Sequence, residues 1–149
     1  KNDILKIVVA DRYGQDHVAT SFIKGFGLKQ GAMAATVAHD SHNIICIGTN
    51  DRDMVVAINE LIKIKGGLLV VNQGKVHNKI NLTIAGLMST RHGHVIARKY
   101  RKLKKNAAKL GSTMTDPFMT MSFMALLVIP ELKLSDRGLF DGKKWELIG

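Results

Sequence analysis

GFGLKQGAMAATVAHDSHNIICIG, residues 25–48, opens with three glycines and a run of small apolar residues. It then packs His39, Asp40, Ser41, His42 and Asn43 together before turning apolar again. Apolar runs of about four to eight residues between turn signals read as buried strands. Residues 32–38 and 44–47 fit that description. A polar knot between two such strands falls at a strand end, where a sheet offers side chains to a ligand. This stretch therefore predicts a strand-rich scaffold with a site-like cluster at one rim.

Upstream, ILKIVVA at 4–10 predicts a strand and DRYGQD at 11–16 a turn around Gly14. Residues 17–24 return as a second strand with Val18, Thr20 and Phe22 on one face. Downstream lies the clearest helix. Thr49 or Asn50 caps it, Asp51 and Asp53 occupy the first turn, and Met54, Ala57, Ile58, Leu61 and Ile62 form its apolar stripe. Gly66-Gly67 stops it, and 68–71 is a strand, so 44–71 reads as a strand–helix–strand unit. NQGK at 72–75 is a turn and 76–82 a returning strand; this pair weakly repeats the first hairpin.

A second helix is predicted over 93–110, striped by Ile96, Tyr100, Leu103, Ala107 and Leu110 and ended by Gly111. Asp116-Pro117 opens a further helix, or else 119–129 is a buried strand. Residues 135–138 make a turn, and the tail at 139–149 adds an edge strand. Together these elements predict a single domain, α+β or α/β, with a mixed β-sheet and two main helices.

At 149 residues one domain is expected, able to bury about 68–70% of its unfolded surface. The single cysteine, Cys46, excludes an intrachain disulfide, suits a reducing cytoplasm and sits in an apolar run that makes it inert. The formal charge of +10 attracts polyanions but does not decide the fold. No apolar run reaches membrane-spanning length, so no membrane partner is expected. A chain that opens on Lys1 is what a piece of a longer protein, or one trimmed of a leader, looks like.

Imidazoles beside a carboxylate can bind a metal, relay protons or hold a polar base, so His39, Asp40, Ser41 and His42 are the catalytic candidates. A catalytic zinc needs three protein ligands, and residues three apart on a strand point to opposite faces. The two imidazoles therefore converge only if the chain turns at Asp40-Ser41. A plain turn whose Asp and Asn bond their own backbone is the competing reading. Asn43, Lys29 of the glycine loop and Asp116 are weaker substrate-binding candidates; capping explains Asp116 equally well. His92-Gly93-His94 resembles a metal pair, yet its context is a loop and a helix start, which favours surface histidines. Six cations within 98–105 avoid the apolar stripe of the second helix. They are a candidate phosphate contact, but no interleaved aromatics offer a base-stacking platform, so nucleic acid ranks as a minority partner.

The run at 21–71, AGLMS at 85–89 and DPFMTMSFMALLVIPELKLSDRGLFD at 116–141, in that order, resemble the C-terminal domain of bacterial adenine deaminases. AHDSHNI and DPFMTMSF are long, specific matches, and the resemblance runs from about Ile4 to Leu147; it departs at 90–110, where the family usually carries an acidic helix. It implies an amidohydrolase-superfamily enzyme of adenine catabolism that converts adenine and water to hypoxanthine and ammonia. It also implies a (β/α)₈ barrel, supplied by the same parent chain, that holds manganese or iron. No metal is then expected in this chain, which alone should not deaminate adenine. A homo-oligomer remains open. His39, Asp40, Ser41 and His42 would line the barrel mouth or the domain seam. The rivals are a free-standing basic nucleic-acid-binding module and a small metallohydrolase using His39 and His42.

Overall fold

A computed structural model describes residues 3–148. Nine strands and three helices follow the chain in this order: β1 (Ile4–Ala10), β2 (Val18–Lys24), β3 (Ala32–Ala35), β4 (Ile44–Gly48), α1 (Asp51–Lys63), β5 (Gly67–Asn72), β6 (Lys75–Asn81), α2 (Gly93–Lys109), α3 (Pro117–Phe123), β7 (Leu132–Ser135), β8 (Gly138–Asp141) and β9 (Glu146–Ile148). Two sheets result. The larger runs β2-β1-β4-β3-β5-β6 and the smaller β7-β8-β9. The two hairpins of the weak repeat, β1–β2 and β5–β6, form the two edges of the larger sheet.

Every pairing in both sheets is antiparallel, so the architecture is α+β, a single domain, and the sheet is not mixed. The physical reason lies in β3. It pairs with β4 on one side and β5 on the other, separating the two strands that flank α1. The helix does connect strands of like direction, but as a crossover over an intervening strand.

β4 is buried along its whole length, as a strand covered on both faces should be. On one face Val8, Ala34, Ile44, Cys46 and Leu69 meet Met54, Ala57 and Leu61 of α1. On the other, Val9, Met33, Ile45, Ile47 and Val70 meet Leu103 and Ala107 of α2, Phe118 and Met121 of α3, and Leu134 of the small sheet. α1 lies over β3, β4 and β5. It leaves the β1–β2 edge uncovered on that side. Val18, Thr20 and Phe22 do share one face, as expected, and that face is exposed; Ala19 and Ile23 pack inward from the other.

Gly67 does more than end a helix. Its φ is +156°, and a Cβ there would stand 2.1 Å from the carbonyl oxygen of Ile80 on β6. Only glycine lets β5 leave the α1 turn this close to its partner strand. Residues 117–123 are helical, so the alternative strand over 119–129 is not formed; Asp116 caps α3 and Pro117 fills its first turn.

Candidate functional site

The polar knot is the β3–β4 connection, and its backbone is anchored before any side chain acts. Thr36, fully buried, donates its hydroxyl to the Gly86 carbonyl at 2.6 Å and accepts from Gly67 N–H at 2.9 Å. His42 N–H donates to the Ala38 carbonyl at 2.7 Å, which closes residues 38–42 into a turn. His42 takes a left-handed backbone conformation, φ 53°, and its Nδ1 accepts from Ala38 N–H at 3.4 Å. The chain thus turns at Asp40-Ser41, and both imidazoles come to one side. Their ring centroids lie 5.4 Å apart, edge to face. His39 stacks on Phe123 at 5.4 Å, and its N–H donates to the Ser122 carbonyl at the end of α3.

Residues from distant segments hold this turn from behind. Arg12 donates to the His42 carbonyl at 2.5 Å and to the Ala85 carbonyl at 2.6 Å. Tyr13 donates its hydroxyl to the Ser41 carbonyl at 2.8 Å. Asn43 is buried and donates from Nδ2 to Asp136 on the β7–β8 turn at 3.1 Å, while the other oxygen of Asp136 faces His17 Nδ1 at 3.3 Å. Sequence reading placed Asp136 in a turn and singled out none of Arg12, Tyr13 or His17. These contacts span 28 to 119 positions of sequence, and no local pattern signals such partners.

Burial, then the His39 ring and the Arg12 guanidinium, hold the His42 pKa below the ordinary histidine value, with Asp40 opposing. The ring is therefore neutral near pH 7 and serves as an acceptor within the turn.

Asp40 and Ser41 are exposed and border a cavity of about 520 Å³. Asp136 and Arg137 complete its polar rim; Leu127, Val128, Phe140, Trp145 and Leu147 form an apolar wall. His39 and His42 lie behind that rim, packed on Phe123 and on the turn. The four candidates are one cluster with a division: carboxylate and hydroxyl outward, imidazoles inward. Asn43 joins it through Asp136.

Lys29 and Asp116 do not. Lys29 is exposed before the start of β3, whereas the knot follows the other end of that strand. Asp116 caps α3 through Met119 N–H and accepts from the Tyr100 hydroxyl and from Lys104 at 3.2 Å. Burial would raise its pKa, but the Tyr100 and Lys104 donors outweigh that and hold it low. His92 and His94 are exposed at the start of α2, their rings stacked at 5.7 Å.

Among the described residues no three His, Cys, Asp or Glu side chains converge into a metal-holding group. The donor set around His39 and His42 does not fit a catalytic metal, since one ring is stacked on Phe123 and the other accepts a backbone N–H. Burial pushes the Cys46 thiol pKa up, away from thiolate chemistry. Among the described residues no helix is long and apolar enough to cross a membrane.

A family model described as "Adenine deaminase C-terminal domain" matches residues 1–146. An adenine deaminase of Methanosarcina acetivorans is 52% identical over 99% of this chain, and one of Methanosarcina barkeri 52% identical over 98%. An adenine deaminase of Brucella melitensis is 48% identical over the full chain. The chain spans only 26–27% of the length of these relatives.

Proposed function

The chain belongs to the adenine deaminase C-terminal domain family, and from that premise we propose that it works as the accessory domain of a cytoplasmic adenine deaminase. The parent enzyme hydrolyses adenine to hypoxanthine and ammonia. Its catalytic barrel, outside these residues, holds a divalent metal, manganese or iron, which supplies an acidified water for attack on the purine. This chain alone turns over no adenine. Its task is to present the 38–43 turn at the seam with the barrel.

The observation that carries this reading is the division within the turn. Contacts from Arg12, Tyr13, Ser122 and Asp136 fix it from behind, yet Asp40 and Ser41 stay exposed beside an apolar cavity. A rigidly held carboxylate and hydroxyl, left without side-chain partners among the described residues, suit a polar group on a docked surface or on the base. The inner imidazoles act as positioning residues: His39 wedges the turn against α3, and neutral His42 closes it.

The test is alanine replacement of His39, Asp40, Ser41 and His42, one at a time, in the full-length parent. Asp40→Ala is expected to lower kcat/KM by about tenfold or more, since a lost charge-assisted hydrogen bond is worth roughly 1.5–3 kcal/mol. Its thermal midpoint should hold. Unchanged turnover and unchanged stability for all four variants would remove the proposal.

A further inference from the structure

The net charge of +10 is concentrated on α2. This helix carries Arg98, Lys99, Arg101, Lys102, Lys104, Lys105 and Lys109 and no acidic residue. Among the described residues only Lys104 has an acidic partner there, Asp116. Like charges at i,i+3 and i,i+4 repel, as in Arg98–Lys102 and Arg101–Lys105, and each such pair weakens a helix by roughly 0.2–0.5 kcal/mol. The helix still forms, because Leu103, Ala107 and Leu110 are buried against the sheet. The adenine deaminase reading does not account for this concentration of charge.

Beside it lies a cleft of about 370 Å³ between the first half of α2, β6 and the 83–91 loop. Half-buried Lys99 and exposed Arg91 line it with the hydroxyls of Thr83, Ser89 and Thr90 and the amide of Asn81. Ile80 and Ile96 provide an apolar floor. Lys79 also borders the cleft, but its ammonium is paired with Glu60 at 2.5 Å, on the α1 side. Among the described residues no carboxylate lines the cleft. Arg91 and Lys99 have no acidic partner among the described residues.

We infer that this cleft binds a small phosphomonoester, with its phosphate held between Arg91, Lys99 and the Thr90 and Ser89 hydroxyls. A guanidinium and an ammonium lining one cleft, together with neutral hydroxyl donors, match the needs of a tetrahedral oxyanion. The volume falls in the range of small-ligand sites, about 300–1,000 Å³, and exceeds what a bare phosphate fills, so an organic group rests on Ile80 and Ile96. The remaining cations of α2 raise the local concentration of anions without touching the ligand. A nucleic-acid strand is disfavoured, because no aromatic ring lines the cleft to stack a base. This inference stands apart from the seam proposal and shares no residue with it.

Isothermal titration of the full chain at constant ionic strength tests it, with inorganic phosphate and a nucleoside 5′-monophosphate as probes. One saturable site is expected, tighter for the monophosphate. Lys99→Ala and Arg91→Ala should each weaken it by about tenfold or more. Thr90→Val, which leaves the charge intact, should weaken it severalfold and keeps the test open if a charge variant misfolds. Arg101→Ala, roughly 200° around the helix from Lys99, should change affinity less than about twofold. Equal losses for Arg101→Ala and Lys99→Ala would mean diffuse attraction and overturn the site. So would the absence of saturable binding, or binding of a DNA oligonucleotide that neither probe displaces.

Discussion

His42 is kept neutral by the turn it closes, and that couples folding to pH. Its folded pKa lies below the ordinary value of 6.5, first through burial and then through His39 and Arg12. The stabilisation is complete above the ordinary value and is lost as pH falls toward the lowered folded value, because the unfolded chain then takes the proton more readily. His42→Asn isolates the effect. Asparagine tolerates the left-handed conformation at this position, and its amide oxygen can take the place of Nδ1 toward Ala38 N–H. Urea unfolding at about pH 7.5 and about pH 5.5 should show a larger loss of stability for the natural chain than for the variant. Equal losses would mean that another group governs the acid limb. The knot itself was legible in the sequence because its members are adjacent. What set its geometry was not: Arg12, Tyr13 and Asp136 arrive from other segments, and a carbonyl acceptor leaves no trace in residue type.

α1 was legible almost to the residue, since its signals are local. Asn50 accepts from Asp53 N–H at 2.9 Å, and Asp51 and Asp53 fill the positive end of the helix. Asp53 adds a link the sequence did not announce. It is buried and accepts from Gly74 N–H at 2.6 Å and from Gln73 N–H at 3.3 Å, tying the helix start to the β5–β6 turn. Burial would raise its pKa, but the Asn50 amide and these two N–H donors hold it low. Asn50→Ala removes one cap acceptor and one Asp53 donor, and should cost about 1–2 kcal/mol in a denaturant titration. Asn50→Gly should cost only a few tenths for the cap itself. A cost near zero for alanine would show that packing of Met54, Ala57 and Leu61 alone fixes the helix start. The β4–α1–β5 unit marks where local reading stops. Each element was legible, but the insertion of β3 between the two strands depends on pairings across the chain. β2 met the same boundary: its alternation was legible as two faces, but it says nothing of which one a helix will cover.

At the scale of the whole molecule, exposed apolar side chains occur on several elements, and one group of them lies toward the C-terminal end of the fold. Val128, Ile129, Leu132, Trp145, Leu147 and Ile148 are each at least 40% exposed, all in the segment from α3 to β9. Three of them, Val128, Trp145 and Leu147, wall the cavity beside Asp40. Singly exposed apolar residues need no explanation, but these three, gathered around one cavity, do, because such a patch costs solubility unless something covers it. The seam proposal supplies the cover, since three quarters of the relatives' length lies outside this chain. It follows that a charge placed on the patch should be harmless here and harmful in the parent. Val128→Asp, at 56% exposure, should shift the stability of the chain alone by no more than about 0.5 kcal/mol. In the full-length protein the same change would bury an unpaired carboxylate. It should then lower the thermal midpoint by several degrees, as a loss of about 1–3 kcal/mol does, and reduce turnover with it. Differential scanning calorimetry of both proteins separates the cases. An equal, small effect in both would show that the patch faces solvent in the parent, and the seam would then have to lie on another face, with the uncovered β1–β2 edge the next surface to probe.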